Sequence, residues 1–535
     1  MRHSKRQYTK DTLIPVLVYS LLTGVLTGAL IFLFKISSSA AIGLSDKIYG
    51  FVRVNKAYLP LLLVGAAALG GIAGIFLHFA PNARGGGIPT AIAALRGQVP
   101  IKKIITMPFT FLSSLATFLC GVPLGTEGPS VQMGTSVGWM VSITAGRKKK
   151  AWQRYTMTGG ACAGFAAATG APLSGIFFAF EEAHRRFTPM IFMSASLATL
   201  FSSLTMEALC SLSGVEARLF GFTLDAIMPI RFMWSALLVG LVCGMAAIFF
   251  TKSYRKVSLA VGRLTRRIPF AARLAVIFVV IALIGVTAHE MIGTGHHLID
   301  TLIEGHGIWY MLIIYLLVRS VFLMISNTEG VTGGLFIPSL AIGAMIGALV
   351  GRALVAVGIL PREYCVICVV IGMSSFLAAS SRVPITALAF SIEALSGLSN
   401  LLPIAIGVSI AFAVIETAGV HSFNDAVIDT KIIERNRGRE ILETSVELIV
   451  QKGAFVIGRE VRDILWPPNC LIVSVIKNPD STDRSSLLGE DDMICVHYRT
   501  AYPEETAVLL EDLVGSQREH TGYGEPQPND VGAML

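Results

Sequence analysis

The chain has 535 residues, of which 53% are apolar and only 15% are Asp, Glu, Lys or Arg, with a mean hydropathy of +0.67. Soluble globular domains carry about a quarter charged residues, so these figures exclude that class, and they exclude intrinsic disorder and a disulfide scaffold as well. The formal charge of +8 is unevenly divided: residues 431–535 hold 11 Lys and Arg against 18 Asp and Glu, net −7, which leaves +15 on residues 1–430.

A spanning helix needs about 20 apolar residues. Residues 12–34 and 58–80 each offer an uncharged run of that length, and further apolar segments lie near 104–124, 188–205, 229–250, 274–288, 308–318, 338–351 and 401–415. So many runs in 430 residues predict an all-α polytopic membrane domain over 12–430, preceded by a cytoplasmic segment 1–11. The first run is too long for a signal peptide and lacks a small-residue cleavage site, so it is expected to be retained. Basic residues gather in the short gaps: Arg2, Lys5, Arg6 and Lys10; Lys102 and Lys103; 147–150 with Arg154; and seven from Lys252 to Arg273. Such clusters orient a membrane chain with these gaps in the cytoplasm; between hydrophobic spans they do not suggest a nucleic-acid surface. Cys365 and Cys368 form the one CxxC, inside an apolar run and without a second pair, so neither metal nor cofactor is expected. His289, His296, His297 and His306, with Glu290 and Glu304, read as a solvated connection, with a metal site as the lesser alternative.

The domain contains a repeat. Gly125, Pro129, Gly134 and Gly138 recur 209 residues later as Gly334, Pro338, Gly343 and Gly347. Ala166, Ala167, Pro172, Leu173, Ser174, Phe178 and Glu181 recur 212 residues later as Ala378, Ala379, Pro384, Ile385, Thr386, Phe390 and Glu393. Two blocks in the same order indicate duplication, with copies at roughly 60–210 and 270–425. Transporter folds built from repeats place substrate between interrupted helices. Three segments have that character: GGGIP at 85–89, GTEGP at 125–129 and GLFIP at 334–338. Each breaks an apolar run just ahead of a new helix, and each reads as a buried helix N-terminus. Unpaired N–H groups and partial positive charge at such ends attract an anion without any fixed positive charge.

Glu127 is the one charge among the 43 residues 104–146. A carboxylate at a helix centre costs about 3 kcal/mol on insertion scales, so it marks function. Tethered at an anion-binding end, it can occupy the anion's place and leave on protonation, which makes a proton-coupled gate. Glu181 and Glu182 follow the apolar run 171–180. One of them matches Glu393 and is expected to be structural; the other is then available for proton transfer.

These motifs in order resemble GSGIP, GREGP or GKEGP, GxFxP and the AAFNAPLAG…EE helix (166–182 in this chain) of the CLC family of chloride channels and chloride/proton exchangers. The resemblance covers about residues 10–430. It implies a homodimer in the lipid bilayer, each subunit with its own pore built from two inverted repeats. It further implies that Glu127 is the gating glutamate and that Glu182, with Glu127, transfers protons. Anion contacts would fall on Gly85, Gly86, Gly87, Ile88, Thr126, Gly128, Leu335 and Phe336, and on Asn424, which an ungapped count places at the family's pore tyrosine with Phe423 adjacent. Three positions depart from the pattern: Gly86 replaces a serine, Thr126 a basic residue, and Asn424 that tyrosine. The implied activity is exchange of chloride, or a similar small monovalent anion, for protons. A passive voltage- or pH-gated chloride channel of the same fold is the alternative, and an enzyme is not expected.

After a linker at 431–440, the pattern changes to β-like runs at 446–450, 471–476 and 493–498, with a Gly-x-x-Val helix over 458–465. Residues 441–515 resemble a TrkA-C (RCK C-terminal) domain, a small cytosolic α/β module that is usually dimeric and regulated by a ligand, a small molecule or nucleotide; 516–535 reads as a disordered tail. Such modules also raise an RCK-regulated cation transporter as a remote alternative. Against it, the chain lacks a TVGYG-like filter, and its repeated motifs present N–H groups rather than carbonyls. The expected location is a prokaryotic inner (plasma) membrane, with both termini cytoplasmic.

Overall fold

The computed structural model describes residues 13–99, 105–145, 150–224, 226–479 and 485–515; the expected N-terminal segment 1–11, Lys102, Lys103, residues 147–149 and the tail 516–535 lie outside these. The apolar runs form α1 (Ile14–Val54), α2 (Leu59–Phe79), α3 (Ile88–Leu95), α4 (Thr106–Leu119), α5 (Glu127–Ala145), α6 (Lys150–Thr169), α7 (Pro172–Phe178) and α8 (Pro189–Ser213). The second copy continues through α9 (Trp234–Thr265), α10 (Phe270–Thr287), α11 (His296–Ile303), α12 (Trp309–Thr328), α13 (Phe336–Ala356), α14 (Cys365–Ser381), α15 (Pro384–Glu393), α16 (Leu401–Thr417) and α17 (Phe423–Asn436). Nine segments among the described residues are long and apolar enough to cross a membrane. The chain is an integral multi-pass membrane protein.

Two elements differ from expectation. Helix α1 runs well past residue 34, because no proline interrupts residues 16–59 and Lys35 places its ammonium on the carbonyls of Glu216 and Ala217. The histidine segment is not simply a solvated loop. His296 opens α11 with its ring 4.8 Å from that of Phe220, and His289 pairs with Asp46 at 3.1 Å.

The duplication is visible in the packing. A Cβ placed on Gly134 would lie 2.1 Å from Gly160 O, and one on Gly343 2.3 Å from Gly372 O, so α5 crosses α6, and α13 crosses α14, at backbone contact that only glycine permits. Two acids then tie the copies together. Glu181 accepts hydrogen bonds from the Ile385 and Thr386 amides (2.8 and 2.6 Å) and the Thr386 hydroxyl (2.7 Å) at the start of α15. Glu393 accepts the same set from Leu173 and Ser174 (2.7, 2.9 and 2.8 Å) at the start of α7. Each carboxylate satisfies the free N–H groups of the other copy's short helix and complements its dipole. Gly125 and Gly334 exchange both backbone hydrogen bonds, at 2.8 and 2.6 Å, in antiparallel sense. Equivalent positions that pair with each other in this way lie about a two-fold axis, as an inverted repeat requires.

A second body begins at Asn436. Strands β1 (Leu442–Ile449), β2 (Cys470–Ile476) and β3 (Met493–Thr500) form an antiparallel sheet in the order β1-β3-β2, with Val496 opposite both Val446 and Ile472. Helix α18 (Pro503–Val514) follows. Val450, Val456, Ile464, Ile494, Val496 and Val514 are fully buried in its core. The helix expected over 458–465 is a single 3₁₀ turn, Val461–Asp463. The Gly458 amide bonds Leu488 O and the Leu488 amide bonds Arg459 O, both at 2.8 Å, so this stretch pairs laterally rather than coiling. Asp492, 1% exposed, accepts from Lys477 Nζ (2.8 Å) and the Gly489 and Asn478 amides (2.7 and 3.0 Å). Burial opposes its charge, but these donors hold the carboxyl below the ordinary range.

Candidate functional site

The three glycine–proline segments start α3, α5 and α13 and meet backbone to backbone. Gly85 and Gly87 hold positive φ values of 86° and 73°, which glycine adopts without strain. Gly128 lies at the junction: a Cβ there would stand 2.1 Å from Gly86 O and 2.6 Å from Gly334 Cα. Among the described residues, the N–H groups of Gly86, Gly87, Thr126, Gly128, Leu335 and Phe336 have no backbone acceptor. The other two N–H groups expected at the anion are committed within the protein, Gly85 to Gly330 O (3.0 Å) and Ile88 to Gly86 O (2.8 Å). The Phe336 ring is wedged edge-on between Phe165 (5.0 Å) and Phe390 (4.9 Å), which fixes the start of α13.

Glu127 is fully buried at the first turn of α5. Its carboxyl folds back over the Gly125–Gly334 bridge, with Oε2 2.5 Å from where a Gly125 Cβ would stand and 3.2 Å from the same point on Gly334. Oε1 accepts from the Thr126 hydroxyl at 3.3 Å, and the backbone amides of Glu127 and of Ile337, at the start of α13, also face the carboxyl. The acid therefore lies where the positive ends of α5 and α13 converge.

Glu181 and Glu182 lie in a π-turn, Ala179–Ala183, at the end of α7. Insertions of this kind are frequent at functional sites. While Glu181 reaches α15, the buried Glu182 accepts a hydrogen bond on Oε1 from the Asn424 side chain. Asn424, expected as an anion contact, is thus engaged with the internal glutamate. The neighbouring Asp425 binds Arg96 (3.1 Å) and Arg185, and Arg96 also donates to the carbonyls of Glu182 (2.7 Å) and Ala183 (2.9 Å). These arginines hold the backbone and Asp425 rather than the Glu182 carboxyl.

Sequence reasoning missed the cations around this site. Lys431 Nζ donates to Arg84 O (3.0 Å) and to the Thr90 hydroxyl, and lies 3.7 Å from where a Gly85 Cβ would stand. The glycine turn thus has a lysine side chain beside it, which the sequence did not lead one to expect. Its sequence signal is slight: Lys431 is the first basic residue after Arg382 and falls on the last helix of the domain. A separate cavity of about 250 Å³ is lined by Thr126 and Ser130 together with Lys35 and Arg218. These two side chains supply, from elsewhere in the chain, positive charge near the position where Thr126 has none.

The family model for the voltage gated chloride channel matches residues 65–416. Among solved structures, a slow cyanobacterial Cl−/H+ antiporter superposes with a TM-score of 0.73 at 21% identity, over 79% of this chain and 99% of that one. A eukaryotic CLC transporter gives 0.64 at 19% identity, over 78% of this chain and 74% of the other. A CLC-type fluoride/proton antiporter gives 0.63 at 20%, over 77% and 98%. At these identities the likeness is one of fold.

Proposed function

The chain belongs to the voltage gated chloride channel (CLC) family, whose members are ion transporters or channels, and from that premise we propose that it exchanges chloride, or a similar small monovalent anion, for protons. The observation that carries this reading is the pair of buried acids. Glu127 and Glu182 each take a neutral donor, the Thr126 hydroxyl and the Asn424 amide. Neither carboxyl forms an ion pair among the described residues, whereas Asp425, next to the Glu182 partner Asn424, has two. An arginine partner would fix a carboxyl in its charged form; a neutral partner leaves it able to take and release a proton.

In this mechanism the Glu127 carboxylate fills the anion position at the converging helix ends and closes the path. Protonation removes its charge, the side chain withdraws, and an anion takes its place against the free N–H groups. Glu182 relays protons between Glu127 and the opposite side, a step that a passive channel has no use for. The reading includes a homodimer with both termini in the cytoplasm of a prokaryotic inner membrane, which the basic gaps support. It also includes a TrkA-C-like regulatory role for residues 441–515, supported by a small antiparallel sheet with one helix.

The test is a reversal-potential measurement on the purified protein in planar bilayers or liposomes, at fixed chloride with an imposed pH gradient. Exchange shifts the potential with pH. No shift would make the protein a passive anion channel, and cation selectivity would overturn the anion reading altogether.

A further inference from the structure

The glycine turn at 85–87 contributes no side chain, yet a side-chain donor from another helix stands beside it. Asn327 lies in the last turn of α12 and is 5% exposed. Its Oδ1 accepts a hydrogen bond from the Tyr254 hydroxyl at 3.1 Å. Tyr254 is itself buried, and the Phe423 ring packs edge-on against it at 4.6 Å. With Oδ1 engaged, the NH2 group faces away from the tyrosine, and Nδ2 has no hydrogen-bond partner among the described residues. A buried donor left in that state costs about 1–3 kcal/mol, so its retention points to an acceptor that the protein chain does not supply.

The position of that NH2 group narrows the choice of acceptor. A Cβ on Gly86 would lie 3.0 Å from Asn327 Nδ2 and 3.0 Å from Leu335 Cδ1. Nδ2 therefore stands beside Gly86, whose own N–H has no backbone acceptor, with the Leu335 side chain against the same point. We propose that Asn327 donates a hydrogen bond to the transported anion and that Tyr254 is the positioning residue that aims it. The proposal rests on the anion-exchange reading above. It also makes residues 86 and 327 a coupled pair: Nδ2 occupies the space a side chain at 86 would enter, so the donor comes from α12 because the turn has no Cβ. A hydroxyl both donates and accepts, but an amide NH2 only donates. On this side the pocket thus presents donors alone, and it selects an anion that carries no proton of its own.

The test is chloride efflux from liposomes holding the full chain, with half-saturating chloride as the readout and a chloride-over-nitrate ratio beside it. Losing one hydrogen bond to a charged partner corresponds to about a tenfold rise in half-saturating chloride for Asn327→Leu. Tyr254→Phe, which keeps the amide but frees its orientation, gives a smaller rise. Gly86→Ser alone lowers transport through its clash with Nδ2, and Gly86→Ser added to Asn327→Ala recovers affinity relative to Asn327→Ala. Unchanged half-saturation and unchanged anion ratio in folded Asn327→Leu would overturn the proposal. If that variant does not fold, Asn327→Asp, which keeps the shape, decides in the same way: chloride affinity equal to wild type overturns it. Failure of the wild-type protein to move chloride, fluoride or nitrate is a different result, and it removes the anion reading itself.

Discussion

The two halves of the membrane body share one backbone plan, and two of the positions at which they differ carry buried acids in the first copy alone. Glu181 in the first copy and Glu393 in the second do the same work on each other's helices. At the gate, however, the residue 209 positions after Glu127 is Phe336, and the residue 212 positions after Glu182 is Ala394. Groups that hold the fold come in pairs about the two-fold axis, and groups suited to carry a proton occur once. Duplication supplied two helix ends facing one point. In the proposed exchange, a single acid at one of them, opposite an aromatic wedge at the other, would let that point be opened and closed by one proton.

The strongest way to break this comparison is Glu127→Gln, which gives the first copy a permanently neutral side chain. Proton transport should fall roughly 100-fold or more, the scale on which proton-transfer groups act, while anion flux persists and loses its pH dependence. Liposome flux assays with a pH electrode check this, and full proton dependence in the variant would remove Glu127 from the gate. Next in size is Glu182→Val. It should abolish chloride-driven acidification and spare anion flow, and an unchanged coupling ratio refutes the relay.

The paired acids should behave in the opposite way. Glu181→Ala and Glu393→Ala each strand two helix-start amides, a loss of about 1–3 kcal/mol. The two variants should lower the melting temperature by similar amounts without altering the coupling ratio. A shift in coupling for Glu181→Ala would mean that the distinction between paired and single residues fails. The smallest effect on transport belongs to Asp492→Asn, in the other body. Because its carboxyl is held below the ordinary range, the stability it contributes is present above about pH 4, the unfolded value, and is lost as pH falls through its folded value. Asn at this position should weaken β3 and its neighbours near neutral pH and reduce the region's acid sensitivity, as read by amide hydrogen exchange, with coupling unchanged.

Much of this was legible in the sequence because helix interruption leaves a local mark. Glycine and proline at 85–89, 125–129 and 334–338 announce the three starts, and the isolated Glu127 announces the buried acid at the second of them. The identity of the structural acid was legible too, from the match of Glu181 to Glu393. What stayed hidden depends on contacts across long stretches of chain. Asn424 aligns with a pore position, but its neighbour in space is Glu182, 242 residues earlier. Lys431 reads as a loop charge until α17 brings it to Gly85. Asn327 did leave a signal, a polar amide at the end of an apolar helix, where such groups are rarely idle. In the second body, 458–465 shows a helical start, yet its amides pair with a segment about 30 residues away.

The bridge between Gly125 and Gly334 gives assembly a clock. A ribosome adds roughly 5–20 residues per second, so Gly125 waits roughly 10–40 s for its partner to be made. Throughout that interval neither bond of the bridge can form. Slower translation between the two positions lengthens the time for which the joint between the copies is missing.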